Sequence, residues 1–474
     1  MHDHDRLYIG GKWEHPATSD LVEVSEAATG EVLGSVPAAG AADVDRAVAA
    51  AAAAFEGWAA TPVAERAAAL GRLHAAMADR LVDFGELIAR EVGMPAAKAM
   101  VAQAGVALVV VESYVDLAAR FAFEEAVGNA KVVYEPVGVV AAVTPWNYPL
   151  LQAVSKVAPA LLAGCPVVLK PSEVAPLSLF LLAALVDAAG FPPGTFNLVT
   201  GTGAEAGEAL VAHPGVDKVS FTGSTPVGRR VAQVAGASFK RLTLELGGKS
   251  ASIVLDDADL DEAVRASVLQ AMLNSGQMCM AWSRLVVPRE RHDEAARLAA
   301  KVAEQLVVGD PFSPATDVGP LASGPHRDRV RAAIEAGVAE GATLVAGGPE
   351  PPAGLERGYY VRPTIFADVT EHMSVATEEI FGPVVAVMAH DGDGDAVRIA
   401  NSSPFGLHGA VFSGDRARAE GLARRLRTGQ VDVCGGGGFN PWAPFGGYKE
   451  SGWGRELGRW GLEGYLETKA LQFP

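Results

Sequence analysis

Apolar positions recur along the chain with two different periods, and the change between them divides it. Between residues 41 and 127, alanine and larger apolar residues return at helical spacing, which predicts helices over 47–55, 65–81 and 97–119. Gly93-Met94-Pro95 punctuates them. From Val132 the pattern changes to short apolar runs alternating with helical segments. Strands are predicted over 137–143, 166–169, 196–199, 218–221 and 242–244, and helices over 150–162, 176–189, 204–211 and 227–235. That rhythm calls for a parallel sheet covered by helices on both faces. A second alternating region follows: a helix over 260–273 opened by the acids Asp257 and Asp259, a strand over 285–287 and a helix over 294–306. Gly and Pro crowd 309–363, and no repeat of fixed period or long linker is present.

Length and charge narrow the partners. A chain of 474 residues has room for two or three domains of ~150 residues. Its net charge of −17 argues against nucleic acid and against anionic membrane surfaces. Three cysteines make no disulfide framework, so a reduced, cytoplasmic setting is expected. The start, Met1-His2-Asp3-His4-Asp5-Arg6, lacks the apolar centre of a signal peptide, and its histidines read as a mobile terminus rather than a metal site. The apolar runs at 137–143 and 175–186 fall short of the ~18 residues a membrane span needs.

Candidate chemistry begins after the predicted strand ending at Phe221. Thr222-Gly223-Ser224-Thr225-Pro226-Val227-Gly228 leads from a strand through a Gly-rich turn into a helix, the geometry that sets phosphate against backbone N–H groups. Its spacing is not the usual G-x-G-x-x-G, so by pattern alone it reads sooner as a structural turn. Gly201-Thr202-Gly203 and Lys170-Pro171-Ser172-Glu173 follow two further strands, and an acid at a strand end can hold a ribose diol. Taken alone, Lys170 and Glu173 also fit a solvated helix start.

Of the three cysteines, Cys165 enters a strand and reads as packed and inert. Cys434 sits in a Gly run and reads as a small packing residue. Cys279, in the polar segment Asn274-Ser275-Gly276-Gln277-Met278-Cys279, is the candidate nucleophile, and Glu245 is a carboxylate suited to activating water. Asn147, fixed between Pro145 and Pro149, is either a turn residue or a rigid amide donor for an oxyanion.

Together these segments resemble the aldehyde dehydrogenase superfamily. The matching motifs are Pro145-Trp146-Asn147, Lys170-Pro171-Ser172-Glu173, Phe221-Thr222-Gly223-Ser224-Thr225, Glu245-Leu246-Gly247-Gly248-Lys249 and Gly276-Gln277-Met278-Cys279. Glu378-Glu379-Ile380-Phe381-Gly382-Pro383 and Pro444-Phe445-Gly446-Gly447-Tyr448-Lys449 follow in order. The likeness runs from Tyr8 to Lys469.

The resemblance implies an α/β fold with a Rossmann-like coenzyme domain (1–114 and 137–247), an α/β catalytic domain (248–450), and a small β oligomerisation flap with a C-terminal arm (115–136 and 451–474). It also implies a homodimer or homotetramer. It makes Cys279 the nucleophile, Glu245 the general base and Asn147 the oxyanion donor beside the Cys279 backbone N–H. Lys170, Ser172 and Glu173 would face the adenosine ribose. Gly223, Ser224 and Gly228 would hold the pyrophosphate, Gly203 would be a further coenzyme contact, Trp146 would line the coenzyme cleft, and Glu379 and Phe381 would meet the nicotinamide ribose and ring. Tyr148, Gln152, Ser155, Trp282, Cys434 and Phe439 would line the substrate tunnel.

The reaction so implied is oxidation of a small-molecule aldehyde with NAD+ and no metal. Thiolate attack gives a thiohemiacetal, loss of hydride a thioester, and water activated by Glu245 the acid. A carboxylate at Glu173 would repel a 2′-phosphate, favouring NAD over NADP. The alternative is a CoA-acylating semialdehyde dehydrogenase, a branch that tends to lack the base. A non-catalytic relative would have lost Cys279, and a coenzyme-free cysteine hydrolase would not need the 223–228 turn. No arginine is placed to hold a distal carboxylate, which disfavours succinate semialdehyde. Gln152, Ser155, Trp282 and Cys434 depart from the residues common in the family and suggest a roomy, partly polar tunnel.

Overall fold

The computed structural model describes residues 2–474, organised by two large sheets. The first has eight strands, in the order Gly452–Trp453, Arg241–Glu245, Lys218–Thr222, Val140–Val143, Val167–Lys170, Phe196–Leu198, Leu7–Ile9 and Lys12–Glu14. The central strands are parallel, and the pairings at the two ends of the sheet are antiparallel. Strands Val140–Val143 and Val167–Lys170 are buried along their whole length. Side chains alternate faces along a strand, so Val140 and Ala142 join the core under helices Pro149–Ala163 and Leu177–Ala188. Ala141 and Val143 join the opposite core, under Ala41–Ala60 and Thr225–Gly236. This is the doubly covered sheet that the apolar runs predicted.

From Val140–Val143 the chain winds outward through Val167–Lys170 and Phe196–Leu198, then returns to lay down Lys218–Thr222 on the other side. Winding therefore reverses between Val140–Val143 and Lys218–Thr222. In open α/β sheets the crevice outside the carboxyl ends at such a reversal is where ligands sit.

The second sheet orders Thr343–Ala346, Thr364–Ala367, Val384–His390, Arg284–Pro288, Ala251–Val254, Gly409–Phe412 and Asp432–Val433, with Thr343–Ala346 alone antiparallel to its neighbour. A separate antiparallel sheet joins Leu466–Gln472 to Ala130–Pro136 and Glu124–Val127.

Several expectations are adjusted. The apolar run at 137–143 is a shorter strand, because Gly138 (φ +125) breaks it from Ala130–Pro136. The helix expected over 65–81 is Val63–Ala78, and a helix not expected from the sequence, Leu81–Val92, follows it. Helix Gly324–Ala339 lies inside the Gly- and Pro-rich stretch read as punctuation. Gly452–Trp453 pairs with Arg241–Glu245, so this part of the expected C-terminal arm belongs to the first sheet. The continuous helical segment Ala96–Leu117 is 22 residues long, enough by length to cross a membrane. Its face of Ala99, Ala104, Ala107, Val110, Val111 and Tyr114 is instead buried in the core beside helices Val63–Ala78 and Pro149–Ala163.

Candidate active site

The carboxyl ends of the first sheet's parallel strands open on one side. Val143 pairs with both Lys170 and Phe221, and Thr222 pairs with Glu245, so the segments leaving these strands start nearly level. Between this edge and the second sheet lies a cavity of 590 Å³. Its walls carry Trp146, Asn147, Gln152, Thr222, Gly223, Ser224, Thr225, Cys279, Arg329, Glu379 and Phe381. A cavity of 640 Å³ near the N-terminus, between His2, His4 and the Arg80, Arg90 and Phe180 side chains, carries no nucleophile.

Cys279 follows a turn that costs backbone strain. Asn274, Ser275 and Gly276 are all left-handed, with φ of +50°, +58° and +74°, a run that L residues avoid. Buried side chains hold it. Asn274 Nδ2 donates to the Asn147 carbonyl (3.0 Å), Ser275 Oγ to the Gly319 carbonyl (2.8 Å), and Gln277 Nε2 to the Asn274 carbonyl (3.1 Å). Gln277 Oε1 accepts from the Ala322 N–H at 2.8 Å. A Cβ on Gly276 would come within 2.0 Å of the Gly382 carbonyl oxygen, so the turn docks directly on the segment carrying Phe381. Asn147 Nδ2 donates to the Gln277 carbonyl at 3.0 Å. An amide nitrogen has two hydrogens, so the second remains available to a group bound at Cys279.

Charge in this site is poised rather than neutralised. Burial pushes the Cys279 thiol far above its ordinary range, and the Glu379 and Glu245 carboxylates add to that; the backbone N–H groups of Cys279 and Met280 act against it. The resting group is therefore a thiol. Glu245 is buried, and neither of its carboxyl oxygens has a partner among the described residues. Burial raises it well above the ordinary carboxylate range, helped by Glu456 and opposed by Lys156 and Arg455. Its carboxyl rests against Gly446 rather than on the cavity wall, where Leu246 and Gly247 stand. Behind it Lys156 Nζ bonds both Glu456 Oε1 (2.5 Å) and Thr222 Oγ1 (2.7 Å). Glu379 accepts from the Gly248 N–H at 2.8 Å, and burial lifts it to about 7 against the pull of that bond and of Lys249 and Arg329.

The 223–225 turn meets the cavity at the start of helix Thr225–Gly236. Its N-cap Ser224 makes no side-chain cap bond, and Pro226 occupies the first turn. Helix-start N–H groups left without a side-chain acceptor, with the helix dipole behind them, favour an anion. Trp146 meets Phe381 edge-to-face at 5.4 Å.

A profile of the aldehyde dehydrogenase family matches residues 13–471. The chain belongs to the aldehyde dehydrogenase family. A 3-succinoylsemialdehyde-pyridine dehydrogenase from a Pseudomonas species is 46% identical over 472 residues, covering 99% of each chain. A Pseudomonas syringae aldehyde dehydrogenase, solved as a cysteine-to-alanine mutant with NAD+ and octanal, is 47% identical with a TM-score of 0.98. That match covers 99% of this chain and 96% of the other. A Mycobacterium tuberculosis aldehyde dehydrogenase solved with NAD+ is 42% identical with a TM-score of 0.97, covering 100% of this chain and 98% of that one.

For this aldehyde dehydrogenase family member, the expected site residues separate. Cys279, Asn147, Trp146, Gly223, Ser224, Glu379, Phe381 and Gln152 share the cavity. Lys170, Ser172, Glu173, Gly203 and Gly228 lie outside its walls. Lys170 Nζ pairs with Glu173 Oε2 at 3.3 Å, and Ser172 Oγ accepts from the Val174 N–H at 3.3 Å. Gly228 is needed for packing, since a Cβ there would meet Leu246 Cδ2 at 2.3 Å.

The tunnel residues are corrected most. Trp282 is core: its indole N–H needs a buried acceptor and finds His408 Nδ1 at 3.0 Å, with Phe412 against its ring. Ser155 Oγ turns back to the Leu151 carbonyl at 2.8 Å. Cys434 (φ +51) is exposed, with its thiol near the Ser413 carbonyl, and Phe439 is 45% exposed, so neither reaches the cavity wall. Tyr148 packs with Met278, its hydroxyl 3.6 Å from the sulfur. Gln152 Oε1 has no partner among the described residues. Cys165 is buried and donates to the Tyr465 carbonyl at 3.4 Å, as its inert reading required. Lys156, Glu456, His326 and Arg329 were not singled out from the sequence; their pairings become visible only in the fold.

Proposed function

We propose that the protein oxidises an aldehyde to its carboxylic acid with NAD+, through a thiohemiacetal and then a thioester on Cys279. The observation that carries this is the meeting of Cys279, Asn147, Trp146 and the 223–225 turn on one cavity at the point where the first sheet's winding reverses. The cavity suits the coenzyme. The start of helix Thr225–Gly236 would offer N–H groups to the pyrophosphate and Arg329 a cation, Glu379 would hold the nicotinamide ribose, and Trp146 and Phe381 would pack by the ring. Lys170, Ser172 and Glu173, outside these walls, would hold the adenosine ribose. The Glu173 carboxylate favours NAD over NADP; comparable kcat/KM for the two coenzymes would contradict that preference.

In this reading Cys279 first gives up its thiol proton to water, and the resulting thiolate adds to the carbonyl carbon. The free Asn147 amide hydrogen and the Cys279 N–H hold the new oxyanion, and loss of one such donor costs ~10²–10³ in rate. NAD+, when bound, supplies the two-electron acceptor that turns this adduct into a thioester. Glu245 then swings from Gly446 toward the cavity and takes a proton from water, whose oxygen attacks the acyl carbon and expels the Cys279 thiolate. A base with a raised pKa is matched to this task. Tyr148, Met278 and Met280, packed together beside Cys279, suit an uncharged aldehyde with an apolar chain or ring. The octanal complex of the Pseudomonas syringae relative supports that class.

Residues 1–114 and 137–247 form the coenzyme domain, and 248–450 the catalytic domain. Residues 115–136 with 451–474 form the oligomerisation flap and C-terminal arm of a homodimer or homotetramer. Three free cysteines suit a cytoplasmic setting. The experiment is direct: aldehyde and NAD+ are mixed with protein, reduced coenzyme is followed by absorbance, and the quenched protein is weighed by mass spectrometry. Wild type should form reduced coenzyme and Cys279→Ala none. Turnover retained in Cys279→Ala would reject the covalent route.

A further inference from the structure

Phe381 carries a strained backbone that the reaction above leaves unexplained. It lines the cavity with φ +59, a left-handed conformation that residues with bulky side chains avoid. Its carbonyl oxygen lies 2.7 Å from His326 Nε2. The other ring nitrogen, His326 Nδ1, lies 2.8 Å from Arg329 Nη2. A carbonyl oxygen only accepts and a guanidinium only donates, so Nε2 carries the hydrogen and Nδ1 offers its lone pair. Chemistry alone therefore fixes the imidazole as neutral and in one tautomer. Burial, with Arg329 next, pushes His326 down to about 4, which keeps the ring neutral across the neutral pH range.

The same ring packs behind the cavity's aromatic wall, 5.0 Å from Trp146 and 6.0 Å from Phe381 between ring centroids. His326 and Arg329 stand three residues apart on helix Gly324–Ala339, hence on one face. Arg329 is the one Lys or Arg on the cavity wall among the described residues, and its side-chain hydrogen bond there is to His326. His326 thus touches two of the cavity's elements at once, the peptide that presents Phe381 and the only cation.

We propose that His326 is a positioning residue for the coenzyme: one ring nitrogen locks the left-handed Phe381 peptide, and the other aims the Arg329 guanidinium into the cavity toward the coenzyme's phosphate. The proposal rests on the reading that this cavity takes NAD+. His326 itself need not touch the coenzyme. Removing its nitrogens frees the Phe381 turn to relax and lets Arg329 swing into solvent. Coenzyme binding then weakens while Cys279, Asn147 and Glu245 stay in place.

The test compares His326→Phe, which keeps a ring and loses both nitrogen contacts, with His326→Gln, whose amide supplies a donor and an acceptor. Arg329→Gln is the companion, since Arg329 is exposed and its loss does not endanger folding. Steady-state kinetics with varied NAD+ and varied aldehyde, NAD+ binding by calorimetry, and melting temperatures are read together. We expect His326→Phe and Arg329→Gln each to raise KM and Kd for NAD+ by about tenfold or more. KM for aldehyde should hold and kcat should move far less. His326→Gln should recover most of the loss. KM for NAD+ within twofold of wild type in both His326→Phe and Arg329→Gln would overturn the proposal. So would a His326→Gln variant as impaired as His326→Phe, with both melting low, which marks packing alone. Wild type that forms no reduced coenzyme from any aldehyde would overturn the NAD+ reading beneath it instead, and this proposal with it.

Discussion

Cys279 sits where burial and the negative charge of Glu379 and Glu245 hold it protonated. The sign is clear. A thiol raised in pKa reacts only as pH climbs past the ordinary value, because the thiolate is the nucleophile. Alkylation of Cys279 by iodoacetamide in the absence of coenzyme should therefore rise with a midpoint above about 8.5, the ordinary thiol value. A midpoint below that, read by mass spectrometry at Cys279, would contradict the environment described. The family resemblance singled out Asn147 and Cys279, where residue chemistry alone left Asn147 open between turn residue and donor, and the fold brings both to one cavity. Trp282 was misread: its bulk beside Cys279 suggested a tunnel wall, yet its N–H required His408, 126 positions away in the chain. Lys156 and Glu456 meet across 300 positions, which no local pattern displays.

At the scale of elements, the left-handed 274–276 turn joins the two halves of the site. Gly276→Ala sets a Cβ 2.0 Å from the Gly382 carbonyl at φ +74. It should destabilise the fold by about 2 kcal/mol or more and, by shifting Cys279 and Phe381 together, lower kcat ~10²-fold. Thermal melting and steady-state rates measure both, and near-wild-type values would refute the close docking. Period and length disclosed the parallel strands, since burial on both faces leaves continuous apolar runs. Helix Gly324–Ala339 was not legible, because Gly324 and Pro325 looked like breakers. In the fold Ser323 caps that helix through the His326 N–H, and Pro sits in the first turn where no N–H is needed. The helix that carries His326 and Arg329 was thus hidden by its own start signal.

For the molecule as a whole, the antiparallel sheet of Leu466–Gln472, Ala130–Pro136 and Glu124–Val127 leaves Val127, Leu471 and Phe473 exposed. Exposed apolar groups on a sheet edge invite a second copy. Sedimentation should therefore report a dimer or tetramer, and removal of residues 466–474 should shift it toward monomer; a wild-type monomer at micromolar concentration would contradict this role. In the proposed reaction Cys279 and Glu245 act in succession, the first carrying the acyl group and the second releasing it. Rapid-mixing absorbance of Glu245→Gln with aldehyde and saturating NAD+ tests it most directly. The expected result is a burst of about one reduced coenzyme per site, an acyl group weighed on Cys279, and a steady state far below wild type. A Glu245→Gln enzyme with no burst and an unchanged steady state would contradict it.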